Sequence, residues 1–523
     1  MKNKIIKALL FMICMLFCCS VLFSCKNDSE DDDGIYDDNS QIDVEDEKND
    51  NSDTGESSHL WELKYKFRPN CQIGGYEIYV CSVCNEEKTV YLPVTNDHSL
   101  GEEYEMTANQ HYKICSICDK AVGAENHSYE DECCTVCGCF EEYYEISIWV
   151  PTGYMATYLF VKQVKEFADA NKLTINLTIS ERASTDVGYD IINDPTCAPD
   201  IFCFTQDYLQ RLIDAEAIMP LSTAAADTIK ATHCHESVLA SSENGILYGY
   251  PMAITNQISV LYYDKSLISE DDAKSLEKII DICEKNNKFF RFQISSGWGV
   301  EHFFLSTGCE SKWTVNKNFE FVDLDDNYNS NAGIVAMKGL AKLAGSSALN
   351  DETFGYNFGN DTAVIISVIS NRWIAENTFG ENLGVAIMPS FTVDGENYQM
   401  KSVGNTFLMG IPPTEDSEKA ELLSRLALWL SDEKCQLERF ENFMWCPTNI
   451  AAQTSEKIET NPYSKIQIQQ YNISVPERSK NLSWWTIAGY LYLDAKEAKT
   501  DEEIIAALNR YDERVARLFE KGK

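Results

Sequence analysis

The chain has 523 residues, of which 44% are hydrophobic and 24% charged, and this composition is typical of a folded globular protein. Its 82 acidic residues outnumber its 44 basic residues, which gives a formal net charge of −38 at pH 7. This excess of acid argues against nucleic acid as a partner, because phosphate contacts need clustered lysine and arginine. Beyond the N-terminus no apolar run approaches the ~20 residues that span a bilayer, so we expect no channel or integral transporter.

The first 24 residues have the pattern of a secretory signal. Lys2, Lys4 and Lys7 precede an apolar run from Ala8 to Phe23. The run ends in Leu-Phe-Ser-Cys25, which is similar to the bacterial lipobox, in which the cysteine receives a diacylglycerol group. We therefore expect an exported lipoprotein, anchored through Cys25 to the extracytoplasmic face of the cell membrane. An uncleaved signal anchor is the alternative.

Residues 25–58 follow as an acidic tether. From residue 26 onward this segment carries fourteen aspartates or glutamates against two lysines, and few large apolar side chains. Such a segment cannot bury enough apolar surface to offset its chain entropy, so we expect it to be disordered and extended.

Residues 59–140 form a cysteine and histidine module with three Cys-x2-Cys pairs. Its middle part reads His111-x3-Cys115-x2-Cys118-x8-His127, which offers four ligands of the types that zinc prefers. The first pair lacks an evident complete set and could take Cys71 or His59. The third pair has no clear fourth ligand, so it is vestigial or uses Cys133 or Cys139. The candidate metal ligands are Cys71, Cys81, Cys84, His98, His111, Cys115, Cys118, His127, Cys134 and Cys137.

Disulfide bonds are the competing interpretation of this module, because an exported protein meets an oxidising environment. However, the module holds nine cysteines, an odd number, and disulfides leave the repeated histidines unexplained. A catalytic metal is not expected, since there is no His-Glu-x-x-His motif and four protein ligands leave no open position for water. The partner of the module is not indicated.

From residue 143 onward, strand and helix patterns alternate. Residues 144–150 and 173–179 have the period of two that predicts strands, and a helical pattern separates them. Strands joined through a helix predict parallel pairing and an α/β fold. In such sheets ligands bind beyond the carboxyl ends of strands, which draws attention to residues 204–208. Thr500 and Glu503 have the spacing of a helix capping box. Further strands are expected at residues 258–263, 289–294, 363–370, 383–388 and 403–411.

Six sequence blocks in order give this region a recognisable identity. Over residues 144–520 the chain resembles the extracellular solute-binding proteins of carbohydrate ABC transporters, the family that includes maltose-binding proteins. The blocks are 199–202 (PDIF), 249–251 (GYP) with 260–265 (VLYYDK), 363–366 (AVII) with Arg372-Trp373, 384–389 (GVAIMP), Cys446-Pro447, and Trp484-Trp485.

The resemblance implies a two-lobe, periplasmic-binding-protein-like (type II) α/β fold with a hinge, preceded by the small cysteine-rich module. By this comparison lobe one is about 144–254 plus 404–438, and lobe two is about 257–390 plus 440–523. The hinges would lie near residues 253–256, 390–403 and 438–442. Closure would be a hinge motion, with solute held between the lobes.

The resemblance also implies a set of ligand contacts, and the residue types suit a sugar. A pyranose ring has apolar C–H faces and a rim of hydroxyls, so its site needs flat aromatic rings beside fixed polar groups. The implied contacts are Phe204, Asp207, Tyr208, Asn256, Gln257, Trp298, Arg372, Trp373, Trp484 and Trp485. A basic residue of the maltose-binding pattern is replaced by Tyr208, and two of its glutamates map near Gln257 and Ser296. Fewer carboxylates in the cleft indicate a sugar other than maltose.

The expected function is therefore a lipid-anchored receptor that captures a carbohydrate and delivers it to an ABC permease, without catalysis and with no cofactor in the solute-binding domain. A surface sugar sensor or adhesin is one alternative. A glycoside-active enzyme is another, but it would need two carboxylates ~5–10 Å apart, and no block presents such a pair beside the aromatic residues.

Overall fold

The structure is a computed structural model that describes residues 59–316, 320–353 and 355–520. The predicted signal segment, Cys25 and the acidic tether lie outside the described residues. The described chain divides into two compact units. One contains residues 59–69 and 73–94, and the other contains residues 70–72 and 95–520.

The smaller unit is a three-stranded antiparallel sheet of order β1-β2-β3. Successive side chains of each strand lie on opposite faces of the sheet. A bulge between Leu63 and Tyr65 shifts the pairing of β1 with β2. The strands are β1 (Trp61–Phe67), β2 (Gly75–Cys81) and β3 (Glu87–Leu92).

The larger unit begins with short hairpins. A three-stranded sheet of order β4-β5-β6 is followed by a two-stranded sheet, and both are antiparallel. The strands are β4 (Glu105–Met106), β5 (Gln110–Ile114), β6 (Ala121–Asn126), β7 (Tyr129–Glu130) and β8 (Cys133–Cys134).

Two five-stranded mixed sheets organise the rest of this unit into two lobes. The first has the order β10-β9-β11-β25-β14, with β25 antiparallel to its neighbours. The second has the order β19-β16-β20-β15-β21, with β15 antiparallel to its neighbours. The first sheet contains β9 (Tyr143–Pro151), β10 (Thr174–Arg182), β11 (Ile201–Thr205), β14 (Tyr250–Ile254) and β25 (Thr406–Gly410); the second contains β15 (Ser259–Asp264), β16 (Phe289–Arg291), β19 (Leu349–Asn350), β20 (Thr362–Val368) and β21 (Leu383–Ala386).

The chain crosses between the sheets more than once. It leaves the first sheet after Ile254, enters the second at Ser259, and returns between Ala386 and Thr406. Near the crossings, β24 (Val403–Gly404) pairs in parallel with β26 (Val475–Pro476). These connections confirm the expected two-lobe α/β fold, whereas the predicted lobe boundaries stay a prediction. The remaining strands are β12 (Ser242–Glu243), β13 (Ile246–Leu247), β17 (Ser311–Val315), β18 (Phe321–Asp326), β22 (Ser390–Val393), β23 (Glu396–Gln399), β24 (Val403–Gly404) and β26 (Val475–Pro476).

Helices cover the sheets and bury separate apolar cores in the two lobes. The last helix begins with the predicted capping box between Thr500 and Glu503, which is confirmed. The helices are α1 (Tyr154–Asn171), α2 (Ser184–Asn193), α3 (Leu209–Asp214), α4 (Thr223–Thr232), α5 (His235–Ala240), α6 (Leu276–Lys285), α7 (Gly297–Ser306), α8 (Asn331–Ala344), α9 (Arg372–Phe379), α10 (Ser417–Leu430), α11 (Glu433–Phe443), α12 (Ile450–Gln453), α13 (Glu456–Glu459), α14 (Pro462–Tyr471), α15 (Leu482–Glu497) and α16 (Asp501–Ala516).

Within residues 59–316, 320–353 and 355–520, none of the helices combines the length and the apolar character needed to cross a bilayer.

Two histidines lie buried in these lobes. His302 on α7 donates through Nδ1 to the Trp298 carbonyl oxygen at 2.7 Å and accepts from Ser259 Oγ at 2.9 Å. His233 lies beside the Ser431 carbonyl oxygen, 3.1 Å from its Nε2. Burial lowers the pKa of each imidazole from 6.5 to about 4.

These histidines predict a pH dependence of stability. Between pH 6.5 and pH 4 the unfolded chain binds more protons than the folded chain, so the free energy of unfolding falls as the pH falls through this window. Each histidine should remove about 3 kcal/mol by pH 4. Urea denaturation at several pH values measures the slope of the free energy of unfolding against pH. In a variant with both histidines changed to Gln, this slope should be shallower than in the parent. His235→Gln changes an exposed histidine and should leave the slope unaltered; equal slopes in the parent and the double variant would contradict the assignment.

Candidate functional site

A cavity of about 810 Å³ lies at the carboxyl ends of strands β16 and β20 in the second lobe. Its walls come from the loop after β16, the start of α7, the end of β20 and helix α15. The connection between β14 and β15 adds Gln257. The lining residues are Gln257, Gln293, Ser295, Ser296, Gly297, Trp298, Thr353, Ile366, Ser367, Val368, Ser370, Asn371, Trp485, Thr486, Gly489, Tyr490, Tyr492 and Leu493. Ligands of open α/β sheets bind at this edge.

The lining combines aromatic rings with uncharged polar groups. Two indole rings, two tyrosines and nine Ser, Thr, Asn or Gln residues contribute to it. No Asp, Glu, Lys, Arg or His is among the described residues that line it. Flat rings can stack on apolar C–H faces, while hydroxyl and amide groups can bind a rim of hydroxyls. The cavity therefore suits a neutral polyhydroxylated ligand.

Two glycines bring the start of α7 against α15. A Cβ atom added to Gly297 would lie 2.3 Å from the Trp485 carbonyl oxygen, and one added to Gly489 would lie 2.7 Å from the Ser295 carbonyl oxygen. Both distances are far below van der Waals contact, so larger side chains would push the helices apart. This close approach places Trp298 and Trp485 on the same cavity.

Hydrogen bonds fix the loop that carries Trp298. The Ser296 hydroxyl caps α7 by accepting from the Gly299 amide at 3.1 Å. The Ser295 amide donates to Asp351 Oδ1 at 2.9 Å. The His302 ring meets the Trp298 ring edge-on at 4.5 Å, in addition to its bond to the Trp298 carbonyl oxygen. The indole is thus held in place before any ligand arrives.

Three of the predicted ligand contacts, Gln257, Trp298 and Trp485, line this cavity together. A fourth predicted contact, Trp373, is not among the lining residues but lies close to them in the chain. Trp373 follows the lining residue Asn371 by two positions and is 44% exposed. The centres of the Trp373 and Tyr356 rings are 6.1 Å apart.

Two more predicted contacts belong to the connections around the cavity. Asn256 accepts through its backbone oxygen from the amide of the lining residue Ser370 at 3.0 Å. Arg372 has its guanidinium over the Tyr463 ring at 5.4 Å.

Burial removes two predicted contacts from the site. The Phe204 side chain is fully buried and packs against Phe202 in the core of the first lobe. The Trp484 side chain is also fully buried, and its Nε1 donates to the Tyr511 hydroxyl at 2.8 Å. Neither ring offers an exposed face for stacking. The expectation that Trp484 and Phe204 touch a ligand is therefore corrected.

The predicted pair Asp207 and Tyr208 follows strand β11 in the first lobe. The Asp207 backbone oxygen accepts from the Ser479 hydroxyl, and burial raises the pKa of its carboxyl group. The Tyr208 ring packs on Gly188, where an added Cβ would lie 2.4 Å from the ring. Neither residue lines the 810 Å³ cavity.

Sequence reasoning missed a buried polar cluster between the lobes. Lys480 Nζ pairs with Glu301 at 2.9 Å, and their side chains are only 5% and 2% exposed. The same Nζ lies 4.8 Å from the centre of the Trp485 ring. Burial, followed by the negative charge of Asp207, raises the pKa of Glu477 to about 7. No sequence spacing signals this cluster, because its members come from distant segments.

All ten predicted metal ligands fall into three clusters of Cys and His side chains. In the smaller unit, His59 joins Cys81 and Cys84, and its Nδ1 lies 3.3 Å from the Cys84 sulfur. The larger unit holds two clusters of four ligands, one made of Cys71, His98, Cys115 and Cys118 and the other of His111, His127, Cys134 and Cys137.

This grouping corrects the sequence interpretation. The motif from His111 to His127 does not form one site, because its histidines and cysteines belong to different clusters. Both histidines of the motif lie with the third cysteine pair, Cys134 and Cys137. The middle pair lies with Cys71 and His98 instead. The alternative ligand Cys139 lies 3.3 Å from both the Cys137 sulfur and His127 Nδ1.

The donor distances fit a tetrahedral metal. Zinc bonds of about 2.3 Å to sulfur and about 2.0–2.1 Å to nitrogen place neighbouring ligand atoms about 3.4–3.8 Å apart. The Cys71 and Cys115 sulfurs are 3.6 Å apart, and the Nδ1 atoms of His111 and His127 are 3.4 Å apart. His127 Nε2 lies 3.0 Å from the Thr107 carbonyl oxygen, an outer bond that leaves Nδ1 free for a metal.

A repeated backbone turn presents each cysteine pair. The residue directly after each pair has a positive φ: 61° at Asn85, 55° at Asp119 and 74° at Gly138. Asn, Asp and Gly are the residue types that adopt this conformation most readily. In each turn the amide of this residue donates to the carbonyl oxygen of the first cysteine. The three pairs therefore share one local structure.

The sequence over residues 162–465 matches the family of bacterial extracellular solute-binding proteins. No curated protein matches the chain. Among solved structures, maltodextrin-binding protein MalE1 from L. casei BL23 is similar, with a TM-score of 0.60 and 20% identity over 72% of this chain and 99% of that one. A cyclo/maltodextrin-binding protein complexed with maltotetraose has a TM-score of 0.59 and 16% identity over 72% and 98% of the two chains. The extracellular solute-binding protein from Staphylococcus aureus in complex with maltose has a TM-score of 0.56 and 15% identity over the same fractions.

Proposed function

The chain belongs to the family of bacterial extracellular solute-binding proteins, and from this premise we propose that it is the carbohydrate receptor of an ABC uptake system. As a solute-binding protein it is not an enzyme. The observation that carries the proposal is the lining of the 810 Å³ cavity, which joins the Trp298 and Trp485 rings to uncharged hydroxyl and amide groups. The maltodextrin, maltotetraose and maltose ligands named for similar structures support a sugar as the ligand class.

The absence of Asp, Glu, Lys, Arg and His from the described lining favours a neutral oligosaccharide. A charged solute would bring an uncompensated charge into this cavity, which is costly. Glycan screening by thermal shift tests the proposal. A neutral glycan at 100 times its Kd should stabilise the fold by about 2.7 kcal/mol. Stabilisation by charged solutes alone would overturn it.

The delivery route is part of the proposal. A diacylglycerol group on Cys25 would hold the receptor at the membrane, and the acidic segment 26–58 would act as its tether. The loaded receptor would pass its sugar to the permease subunits of the transporter. Export is consistent with the extracellular family of the chain.

We propose in addition that the two four-ligand clusters hold structural zinc. Thiolate and imidazole donors of this number and spacing satisfy a tetrahedral ion, with no position left for water. Zinc would supply folding free energy to hairpins that are too short to bury a core of their own. The three-ligand cluster around His59 lacks a fourth cysteine or histidine in the described chain.

Adjacent tryptophans provide the sharpest test of the sugar site. Trp485→Ala should weaken the affinity for the identified glycan at least tenfold, about 1.4 kcal/mol, because a stacking ring is lost. The melting temperature of the Trp485→Ala variant should change little. Trp484→Ala should instead lower the unfolding free energy by about 3–5 kcal/mol, because a buried ring is lost. Calorimetry for affinity and thermal melts for stability separate the two effects; normal binding by Trp485→Ala would contradict the site.

A double variant tests the zinc grouping. Cys115→Ser and His111→Ala should each release about one zinc per chain, and the two together should release about two, because the residues serve different clusters. Elemental analysis of the purified protein measures this. Cys197→Ser changes an exposed cysteine outside the clusters and should release none. Release of only one zinc by the double variant would instead support a single site containing both residues.

The anchor should depend on one sulfur atom. Cys25→Ser should abolish incorporation of labelled fatty acid and leave the signal segment uncleaved at this site, since acylation needs the thiol. Cys19→Ser alters a neighbouring cysteine of the signal segment and should keep the label. Labelled Cys25→Ser protein would rule out this anchor.

A further inference from the structure

A second cavity, of about 770 Å³, lies between the two lobes and shares no lining residue with the first. Its walls include helix α3 and the β12–β13 hairpin on one side, and helix α7 and strand β17 on the other. Val475, Pro476 and residues 478–480, which precede helix α15, complete it. In contrast to the first cavity, four basic and four acidic residues line this one. Its chemistry is therefore that of a site for a charged ligand.

Several polar atoms of this lining are buried without a hydrogen-bond partner among the described residues. Three are N–H donors: Arg211 Nε, Arg478 Nη1 and Trp313 Nε1. One is an acceptor, Glu301 Oε2. Buried polar atoms in folded proteins nearly always have partners. The residues that line the cavity thus carry three donors and one acceptor whose hydrogen bonds are not made within the described chain.

The charges around the cavity are unevenly compensated. Lys480 is paired with Glu301 at 2.9 Å, and Arg478 with Glu243 at 3.8 Å. Arg211 forms no ion pair within the described chain, and its guanidinium lies 5.5 Å from the centre of the Tyr208 ring. A guanidinium fork matches the two oxygens of a carboxylate or phosphate. The other lining charges without an ion pair in the described chain, Lys312, Asp214 and Glu310, are exposed to solvent, whereas Arg211 is partly buried. Arg211 is therefore the lining group best suited to bind an anion.

We propose that the second cavity binds a small hydroxylated organic anion, a sugar acid or a sugar phosphate. Its anionic group accepts hydrogen bonds from Arg211, Arg478 and Trp313. A ligand hydroxyl donates to Glu301 Oε2. This site is separate from the proposed sugar site and does not depend on it.

Calorimetric titration of the purified protein with four probes tests the proposal. Gluconate presents a carboxylate on a hydroxylated chain, and glycerol 3-phosphate presents a phosphate. Sorbitol and glycerol are their neutral counterparts. At least one anion should bind to one site per chain, and the neutral counterpart at least tenfold more weakly. The anion that binds more tightly distinguishes a sugar acid from a sugar phosphate. Because no glycan is needed, the outcome is independent of the proposed uptake function.

Substitutions locate the binding. Arg211→Gln and Trp313→Phe should each weaken anion binding at least fivefold, the second by removing one N–H while keeping an aromatic ring. Arg517→Gln removes the same charge from an exposed position on the second lobe and should have no effect. Thermal melts verify that each variant is folded. Absence of binding by both anions, equal binding by neutral polyols, or an equal loss in Arg517→Gln would overturn the proposal.

Discussion

The close approach of helices α7 and α15 is the constraint on which the candidate site depends. Gly297 and Gly489 leave no room for a Cβ atom, so the two backbones meet directly. As a result, the loop before α7 and the first three turns of α15 form adjoining walls of one cavity. The contact also brings Glu301 on α7 to Lys480, which precedes α15. One backbone contact therefore positions both the aromatic walls and the buried ion pair.

The cavities of about 810 Å³ and about 770 Å³ differ in the charge of the side chains that line them. The first is lined by rings, hydroxyls and amides, which can bind hydroxyl groups without a charge penalty. The second collects charged side chains from both lobes, and some of their polar atoms have no partner in the described chain. Lys480 stands between them, paired with Glu301 on one side and lying over the Trp485 ring on the other.

The cysteine and histidine clusters combine a repeated local turn with ligands from distant parts of the chain. Each begins with the same local turn, in which a residue with positive φ follows the Cys-x2-Cys pair. The other ligands come from elsewhere in the chain, as when Cys71 joins Cys115 across 44 positions. The local part of the motif repeats, whereas the long-range part differs from one cluster to the next.

The sequence by itself determined the α/β class, most strand positions of the two five-stranded sheets, the capping box of Thr500 and the three Cys-x2-Cys pairs, because each depends on a short-range pattern of side chains. Through the family resemblance it also predicted Trp298, Trp485 and Gln257 as ligand contacts, and these three residues line one cavity in the structure. Only the tertiary structure decided which of two adjacent tryptophans is buried, because neighbours on a helix point about 100° apart and packing selects the inward one. The same holds for Phe204, for the exchange of histidines between clusters and for the second cavity, since each depends on contacts between residues that are far apart in the chain.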